Sequence, residues 1–295
     1  MRDGDVSVIV VSFNALPWLE RCLESVAGLD TIVVDHGSTD GSVELVRSRF
    51  PGARLVSQEN RGMGAGNNLG MRIADSRYFF LLNSDAWVQG GGVATLVAFA
   101  DAHPDTAVVG PRLLNPDGTL QRSVRGFPSV WRLATEYLFL RKLAPRSRLL
   151  NSLYAGGFRH DSQRQVDWVS GAALLVRREA ADAVGLFDED FFMFSEEADW
   201  MYRFREAGWR VWFVPEAEVV HVGGGSHGGR LYVENLRGQL RFLAKHRGVR
   251  EAERARRLLL FALHVRSLLF RGERRATYRE GARFLASGNA RSLLS

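Results

Sequence analysis

The stretch Tyr78 to Asp85, YFFLLNSD, constrains this 295-residue chain more than any other. Five apolar or aromatic side chains follow one another between Asp75-Ser76 and Asn83-Ser84-Asp85, the pattern of a strand buried on both faces. Such a strand belongs in the middle of a sheet. In an open α/β sheet ligands bind beyond the carboxyl ends of the central strands, which puts Asn83, Ser84 and Asp85 at a cleft. Asn-Ser-Asp is also ordinary turn chemistry, so from these residues alone Asp85 is either a solvated turn residue or a carboxylate for a metal or phosphate site.

The chain before it repeats the pattern. Val6 to Val11 (VSVIVV) reads as a buried first strand ending in Ser12, Phe13 and Asn14. Leu16 to Ala27 carries Leu16, Leu19, Leu23 and Val26 at helical spacing. A second strand, Thr31 to Val34, stops at Asp35-His36-Gly37-Ser38-Thr39-Asp40-Gly41-Ser42, and another helix begins near Val43. Strand, helix, strand and acidic turn make a right-handed βαβ unit with a nucleotide-sized cleft. There is no G-x-G-x-x-G in the first turn and no G-x-x-x-x-G-K-[ST] anywhere, which weighs against dinucleotide and P-loop chemistry. Asp35 is either a turn residue or an acceptor for a base N–H or a ribose hydroxyl. Residues 60 to 70, NRGMGAGNNLG, read as a loop before a helix at Leu69 to Ala74, with Asn60, Gly62, Asn67 and Asn68 lining pyrophosphate or ribose.

VSVIVVSFN, IVVDHGSTDGS, ENRGMGAGNNLG and FFLLNSDA, in that order and at those intervals, resemble the nucleotide-sugar half of family 2 glycosyltransferases, which invert and have the GT-A fold. GPRLLNPDGTLQRS, from Gly110, is similar to a subgroup that includes bacterial rhamnosyltransferases. The resemblance implies an α/β domain with a mixed, mostly parallel sheet, and a donor that is a nucleoside diphosphate sugar, dTDP- or UDP-linked, with dTDP-L-rhamnose the best match. Asn83-Ser84-Asp85 stands where the family has D-x-D, with only the last carboxylate kept, and His36 departs from the family's D-N-x-S-x-D. One carboxylate with two phosphate oxygens suffices for Mg²⁺ or Mn²⁺, so the ion is expected to arrive with the nucleotide sugar.

Further on, Gly92 to Ala102 is a predicted helix, Ala107 to Gly110 a strand and Asn115-Pro116-Asp117-Gly118 a hairpin turn. Residues 127 to 165 are the least readable, fitting an acceptor-side insertion, an interfacial helix or packed helix. Val166 to Val176 reads as one strand with Gly171 and Ala172 in its middle, where a backbone approaches the sugar. Glu196, Glu197 and Asp199 follow Ser195, a candidate N-cap, so the acids either cap a helix or supply a general base among Phe191, Phe192, Phe194 and Trp200. The segment resembles the family's E-D motif, which makes Glu197 the base, with Glu196 and Asp199 as alternates. A strand over Ala207 to Pro215 precedes Ala217 to His221, and His221 before Gly223-Gly224-Gly225-Ser226 resembles the family's H-x-G-G-S segment. By that resemblance His221 joins Asp85 at the metal or diphosphate.

The net charge of +6 conceals an asymmetry. Residues 230–295 hold 16 Lys and Arg against 5 Asp and Glu, while residues 1–229 are acidic overall. The expected organisation is a glycosyltransferase domain over 1–229, nucleotide-sugar half 1–110 and acceptor half 111–229, and a basic helical tail over 230–295. The longest apolar stretch of the tail, Leu258 to Phe270, contains His264 and Arg266 and is shorter than the roughly 20 residues of a membrane span. The tail suits anionic lipid, a lipid-linked acceptor or a homodimer surface. Aromatic residues there are too sparse for nucleic-acid stacking, so no nucleic-acid partner is expected. One cysteine, Cys22, excludes an intrachain disulfide and a Cys-based zinc site, and the acidic N-terminus is unlike a signal peptide. These point to a cytoplasmic protein, with peripheral attachment to the inner membrane face as an option. The function expected is sugar transfer to a cell-envelope or exopolysaccharide glycan on a lipid carrier. A non-catalytic nucleotide- or glycan-binding protein on the same fold, and a sugar nucleotidyltransferase, are the alternatives.

Overall fold

The first apolar run forms a strand, Val6–Ser12 (β1), with every residue buried, in a computed structural model that describes residues 4–223 and 229–293. There follow α1 (Leu16–Glu24), β2 (Asp30–Asp35), α2 (Ser42–Arg49), β3 (Arg54–Ser57), α3 (Met63–Ile73), β4 (Tyr78–Asn83), β5 (Ala86–Gln89) and α4 (Gly92–Ala102). Next come β6 (Thr106–Leu114), β7 (Leu120–Gln121), β8 (Val124–Arg125), α5 (Val130–Tyr137), α6 (Leu140–Leu143), β9 (Arg164–Gln165) and β10 (Trp168–Val169). The chain continues through β11 (Ala173–Arg177), α7 (Arg178–Val184), α8 (Glu196–Glu206) and β12 (Arg210–His221) to α9 (Gly229–Arg247), α10 (Val249–Leu269), α11 (Gly272–Ala286) and α12 (Gly288–Ser292). Contacts group the chain into two units. Unit 1 comprises Met1–Val124, His160–Asp190 and Asp199–Gly223; unit 2 comprises Arg125–Arg159, Phe191–Ala198 and Gly224–Ser295. The helical tail thus clusters with two earlier segments, and the boundary expected at residue 229 does not separate them.

Unit 1 is an α/β sheet with strand order β3-β2-β1-β4-β11-β6-β12-β5. The first four strands are parallel, β11 runs antiparallel to β4 and β6, and β12 is parallel to β6. β4 is interior, as its unbroken apolar run requires. Alternate residues face opposite sides: Val8, Val10, Phe80 and Leu82 join Leu19, Cys22 and Leu23 of α1 and Leu96 and Val97 of α4 in one core. Fully burying each of the larger side chains contributes about 1.5–3 kcal/mol.

The other face of β1 receives α3, and this corrects the loop expected over 60–70. The helix starts at Met63, six residues before the predicted start, because its glycines serve close packing. A Cβ on Gly66 would lie 2.8 Å from Val11 and 2.7 Å from the His36 ring, and one on Gly70 would collide with Ile9. His36, the departure in the second turn, is buried against that helix and receives a hydrogen bond of 2.9 Å from Gln58 Nε2.

Two other strands differ from expectation. Residues 166–176 are two short strands with a turn at Gly171-Ala172, since β11 begins only at Ala173. Arg210–His221 is a single strand that passes Pro215 by a register shift between Val214 and Glu218, the irregularity a proline without an N–H imposes. That continuity carries His221 to a pairing with Ala86, next to Asp85.

In unit 2, Leu236, Leu240, Phe242, Leu243, Leu259, Leu263 and Leu285 are fully buried. Part of the tail's arginine content is structural. Buried Arg266 donates to the Glu136 and Tyr137 carbonyls, both at 2.8 Å, satisfying the exposed end of α5. Arg256, also buried, donates to the Leu285 carbonyl at 2.6 Å. Among the described residues no helix is long and apolar enough to cross a membrane.

Candidate active site

The carboxyl end of β4 and the end of β12 converge at Asp85 and His221. Asp85 accepts from the Gly223 amide at 3.2 Å, and its main-chain carbonyl accepts from Val222 N–H at 3.0 Å. Its Oδ1 lies 3.3 Å from His221 Nε2, with the Asn83 side-chain nitrogen 3.4 Å from the same ring atom. Burial pushes the Asp85 carboxyl up, but the His221 imidazole and the Gly223 amide outweigh it and hold it below the ordinary carboxylate range.

Which nitrogen of His221 carries a proton is decided by Gln121, a residue sequence reasoning missed. Gln121 Nε2 donates to Asn115 Oδ1 at 3.0 Å and to the His221 carbonyl at 3.2 Å. Both partners are acceptors, so the amide orientation is settled and Oε1 is the atom 2.7 Å from His221 Nδ1. Nδ1 therefore donates, and Nε2 is the ring atom that faces Asp85. Two electron-rich atoms 3.3 Å apart favour a cation between them, either a proton or a metal. An imidazole nitrogen and a carboxylate oxygen suit Mn²⁺, and the carboxylate suits Mg²⁺. Among the described residues His, Cys, Asp and Glu nowhere gather in threes, so further ligands of such an ion would be phosphate oxygens or water. The signal for Gln121 was present in the NPDGTLQ hairpin: β7 pairs antiparallel with β6 and brings Gln121 opposite Leu113. Gly224 to Ser226 of the glycine segment lie outside the described residues.

The first two turns of unit 1 lock together. Asn14 accepts from Thr39 N–H at 2.8 Å and its own amide donates to Ser38 Oγ at 2.9 Å, while Asp40 accepts from Leu16 N–H at 2.9 Å at the start of α1. Asn14 is exposed and sits at a left-handed φ of 50°. Asp35 is only 2% exposed, and both its oxygens are engaged by Gly37 and Ser38. It holds the turn, whereas an open acceptor for a base or ribose was expected.

Three other expected ligand contacts, Ser12, Ala172 and Asn68, are corrected on similar grounds. Ser12 and Ala172 are buried, their carbonyls accepting from His36 and Asn83 N–H respectively, and the Ser12 hydroxyl is enclosed without a hydrogen bond. Asn68 is buried with its amide bonded to the Phe187 main chain on both sides and to Glu189. Asn67 donates back to Met63 within α3. Asn60 remains exposed beside Gly62, whose N–H it accepts at 3.2 Å, and Ser84 and Gly171 remain half-buried. Buried Cys22 lies behind Asn83, and burial, with the Asp85 charge, pushes its thiol far up, which leaves it chemically inert.

In unit 2, Glu196 and Glu197 open α8 after two consecutive non-glycine residues with left-handed backbone, Phe194 at φ 66° and Ser195 at φ 71°. Ser195, the N-cap candidate, thus lacks the extended backbone usual at that position. α9 closes over this strained turn at Gly238, where a Cβ would meet the Phe194 carbonyl and Ser195 Oγ. Burial first, and then the charge on Glu197, raise the Glu196 carboxyl well above its usual range, and its Oε2 is buried without a hydrogen bond. Burial and the adjacent charge thus both disfavour ionising the two carboxyls together. Asp199, in unit 1, is excluded as an alternate base: it is fully buried and ion-paired with Arg203 at 2.9 Å, and Arg203 in turn holds the Val184 and Leu186 carbonyls.

Comparison with known proteins agrees with this architecture. The family model described as "Glycosyl transferase family 2" matches residues 7–166. An N-acetylglucosaminyl-diphospho-decaprenol L-rhamnosyltransferase of Mycobacterium tuberculosis is 33% identical over 231 residues, 72% of this chain and 75% of the relative. Rhamnosyltransferase WbbL of Escherichia coli is 24% identical over 82% of this chain and 94% of its own. Among solved structures, a Pyrobaculum calidifontis mannosyltransferase in complex with GDP-Man and Mn²⁺ has a TM-score of 0.58 at 18% identity, covering 99% of this chain and 84% of that one. The chain belongs to glycosyl transferase family 2, and it is a glycosyltransferase of the GT-A fold.

Two outcomes are predicted. Replacing Gln121 with Leu should let the proton redistribute to His221 Nε2, visible in the imidazole ¹⁵N shifts of labelled protein, and weaken Mn²⁺ binding in the presence of nucleotide about 10–100-fold; an unchanged tautomer would contradict the geometry. Because the folded-state value of Glu196 is raised, the native state binds the extra proton, so this group's contribution is favourable at low pH and is lost as pH rises from the unfolded value through the folded one. Denaturant titrations of Glu196→Gln should show that decline flattened.

Proposed function

We propose that the chain transfers L-rhamnose from dTDP-L-rhamnose, with inversion, to a cell-envelope or exopolysaccharide glycan carried on a lipid diphosphate at the cytoplasmic face of a membrane. The observation that carries the nucleotide-sugar part is the facing pair of His221 Nε2 and Asp85 Oδ1, which suits a cation shared with a diphosphate. The sugar and the lipid carrier rest on the M. tuberculosis relative, whose name specifies an L-rhamnosyl group and a diphospho-decaprenol acceptor.

In this reading Asp85 and His221 hold Mg²⁺ or Mn²⁺, which when bound offsets the negative charge developing on the departing nucleoside diphosphate. Asn14, Asn60, Ser84 and Gly171 border the donor, and Asp35 keeps the turn beside Asn14 in shape. Glu197 accepts the proton of the acceptor hydroxyl while that oxygen bonds to the anomeric carbon from the face opposite the leaving group. The anomeric C–O bond breaks and its electron pair leaves with the diphosphate. The raised Glu196 carboxyl disfavours a second charge beside Glu197, which suits one ionised carboxylate at the pair.

The test is turnover by purified protein with dTDP-L-rhamnose, UDP- and GDP-sugars and a polyprenyl-diphosphate-linked N-acetylglucosamine acceptor. dTDP-L-rhamnose should give product. Glu197→Gln should lower kcat by about 10²–10⁴-fold with donor affinity retained. Full activity in that variant would assign the base elsewhere, and turnover of another donor alone would overturn the sugar.

A further inference from the structure

We propose that the end of unit 2 built by α6 and the α10–α11 junction is a docking surface for an anionic membrane. The proposal extends the lipid-linked acceptor reading, and its test needs neither donor nor acceptor. Leu143, Leu268 and Leu269 are 78%, 79% and 66% exposed, the last two unlike the fully buried Leu259 and Leu263 of the same helix. They belong to two elements that the fold brings together: the Phe139 ring, one turn before Leu143, lies 6.0 Å from that of Phe270, directly after Leu269. Arg266 sits over Phe139 at 4.3 Å and ties the end of α5 to α10, so the juxtaposition is braced.

The charged groups around these leucines are mostly cationic, with Arg141 paired to Glu136 of α5 and Arg254 and Arg257 to Glu251 and Glu253 of α10. Segments 139–149 and 268–275 contain Arg141, Lys142, Arg146, Arg148, Arg271, Arg274 and Arg275, against a single acid, Glu273. Lys142 and Arg274 lie over the Phe139 and Phe270 rings at 4.8 and 5.9 Å, bordering the apolar residues. Farther along α10, Phe261 is 61% exposed and stands two turns before Leu268 on the same helix face, with exposed Arg254 and Arg257 preceding it. Exposed large apolar side chains rimmed by cations match a surface with an apolar interior and anionic headgroups. A second copy of the chain fits less well, because a two-fold contact would set these cations against their own copies. Nucleic acid would leave the leucines without a partner.

The experiment is flotation of the full chain with phosphatidylcholine vesicles and with phosphatidylcholine–phosphatidylglycerol vesicles, at low and high salt. Binding to the mixed vesicles should exceed binding to the neutral ones by at least about tenfold and fall with salt. The combined variant Leu143→Ser, Leu268→Ser, Leu269→Ser should lose about tenfold or more of that binding, with its thermal unfolding and nucleotide binding unchanged. Lys142→Gln with Arg271→Gln and Arg274→Gln should lose about fivefold per charge removed. Equal binding to both vesicle types, or a leucine variant that floats as the wild type does, would overturn the proposal. So would wild-type protein that is dimeric in sedimentation where the leucine variant is monomeric.

Discussion

The juxtaposition of Asp85 with His221 is the interaction on which the rest of unit 1 converges. It requires β4 to end where it does, β12 to continue past Pro215, and His221 to pair with Ala86. It also requires a hairpin a hundred residues away to supply Gln121, whose amide can be oriented in only one way. The family resemblance had kept one carboxylate of three positions at Asn83-Ser84-Asp85. Beside that single carboxylate the fold places an imidazole nitrogen, His221 Nε2, 3.3 Å away.

The parallel half of the sheet was legible because buried parallel strands are written as unbroken apolar runs, and β1, β2 and β4 fall on the expected residues to within a position or so. The glycine-rich segment misled for a definite reason. Glycine serves both a phosphate loop and a close helix–strand contact, and Gly66 and Gly70 serve the second, with Val11 and Ile9 as the facing side chains. Pro215 misled similarly, since a proline reads as a strand end while the register shift that bypasses it has no sequence mark. Of the candidate site residues, Asp85 and His221 are brought together as anticipated. Asp35, Asn68 and Asp199 proved to be residues whose polar atoms are consumed by the fold, a distinction that depends on partners far away in sequence. Gln121 escaped notice because its importance lies wholly in what it faces.

Unit 2 poses a different balance. Its arginines look like a solvated charge run, yet Arg256 and Arg266 are buried and close helix ends. Lys142 and Arg274, by contrast, lie over Phe139 and Phe270 next to leucines that the helices leave exposed. The two glutamates at the start of α8 are presented by a strained turn held by α9, and strain of that kind is retained where a side chain must be aimed. Burial and the neighbouring Glu197 charge, which raise the Glu196 carboxyl, act on the same two side chains.

The most direct measurement of the central account is Mn²⁺ binding by electron paramagnetic resonance, without nucleotide and with dTDP, for the wild type and for Asp85→Asn. With one carboxylate and one imidazole as protein ligands, free Mn²⁺ should bind weakly, dTDP should tighten it by at least about tenfold through shared phosphate oxygens, and Asp85→Asn should abolish the gain. Tight binding without nucleotide, or a nucleotide effect that survives in Asp85→Asn, would contradict the assignment of Asp85 and His221 as the cation site.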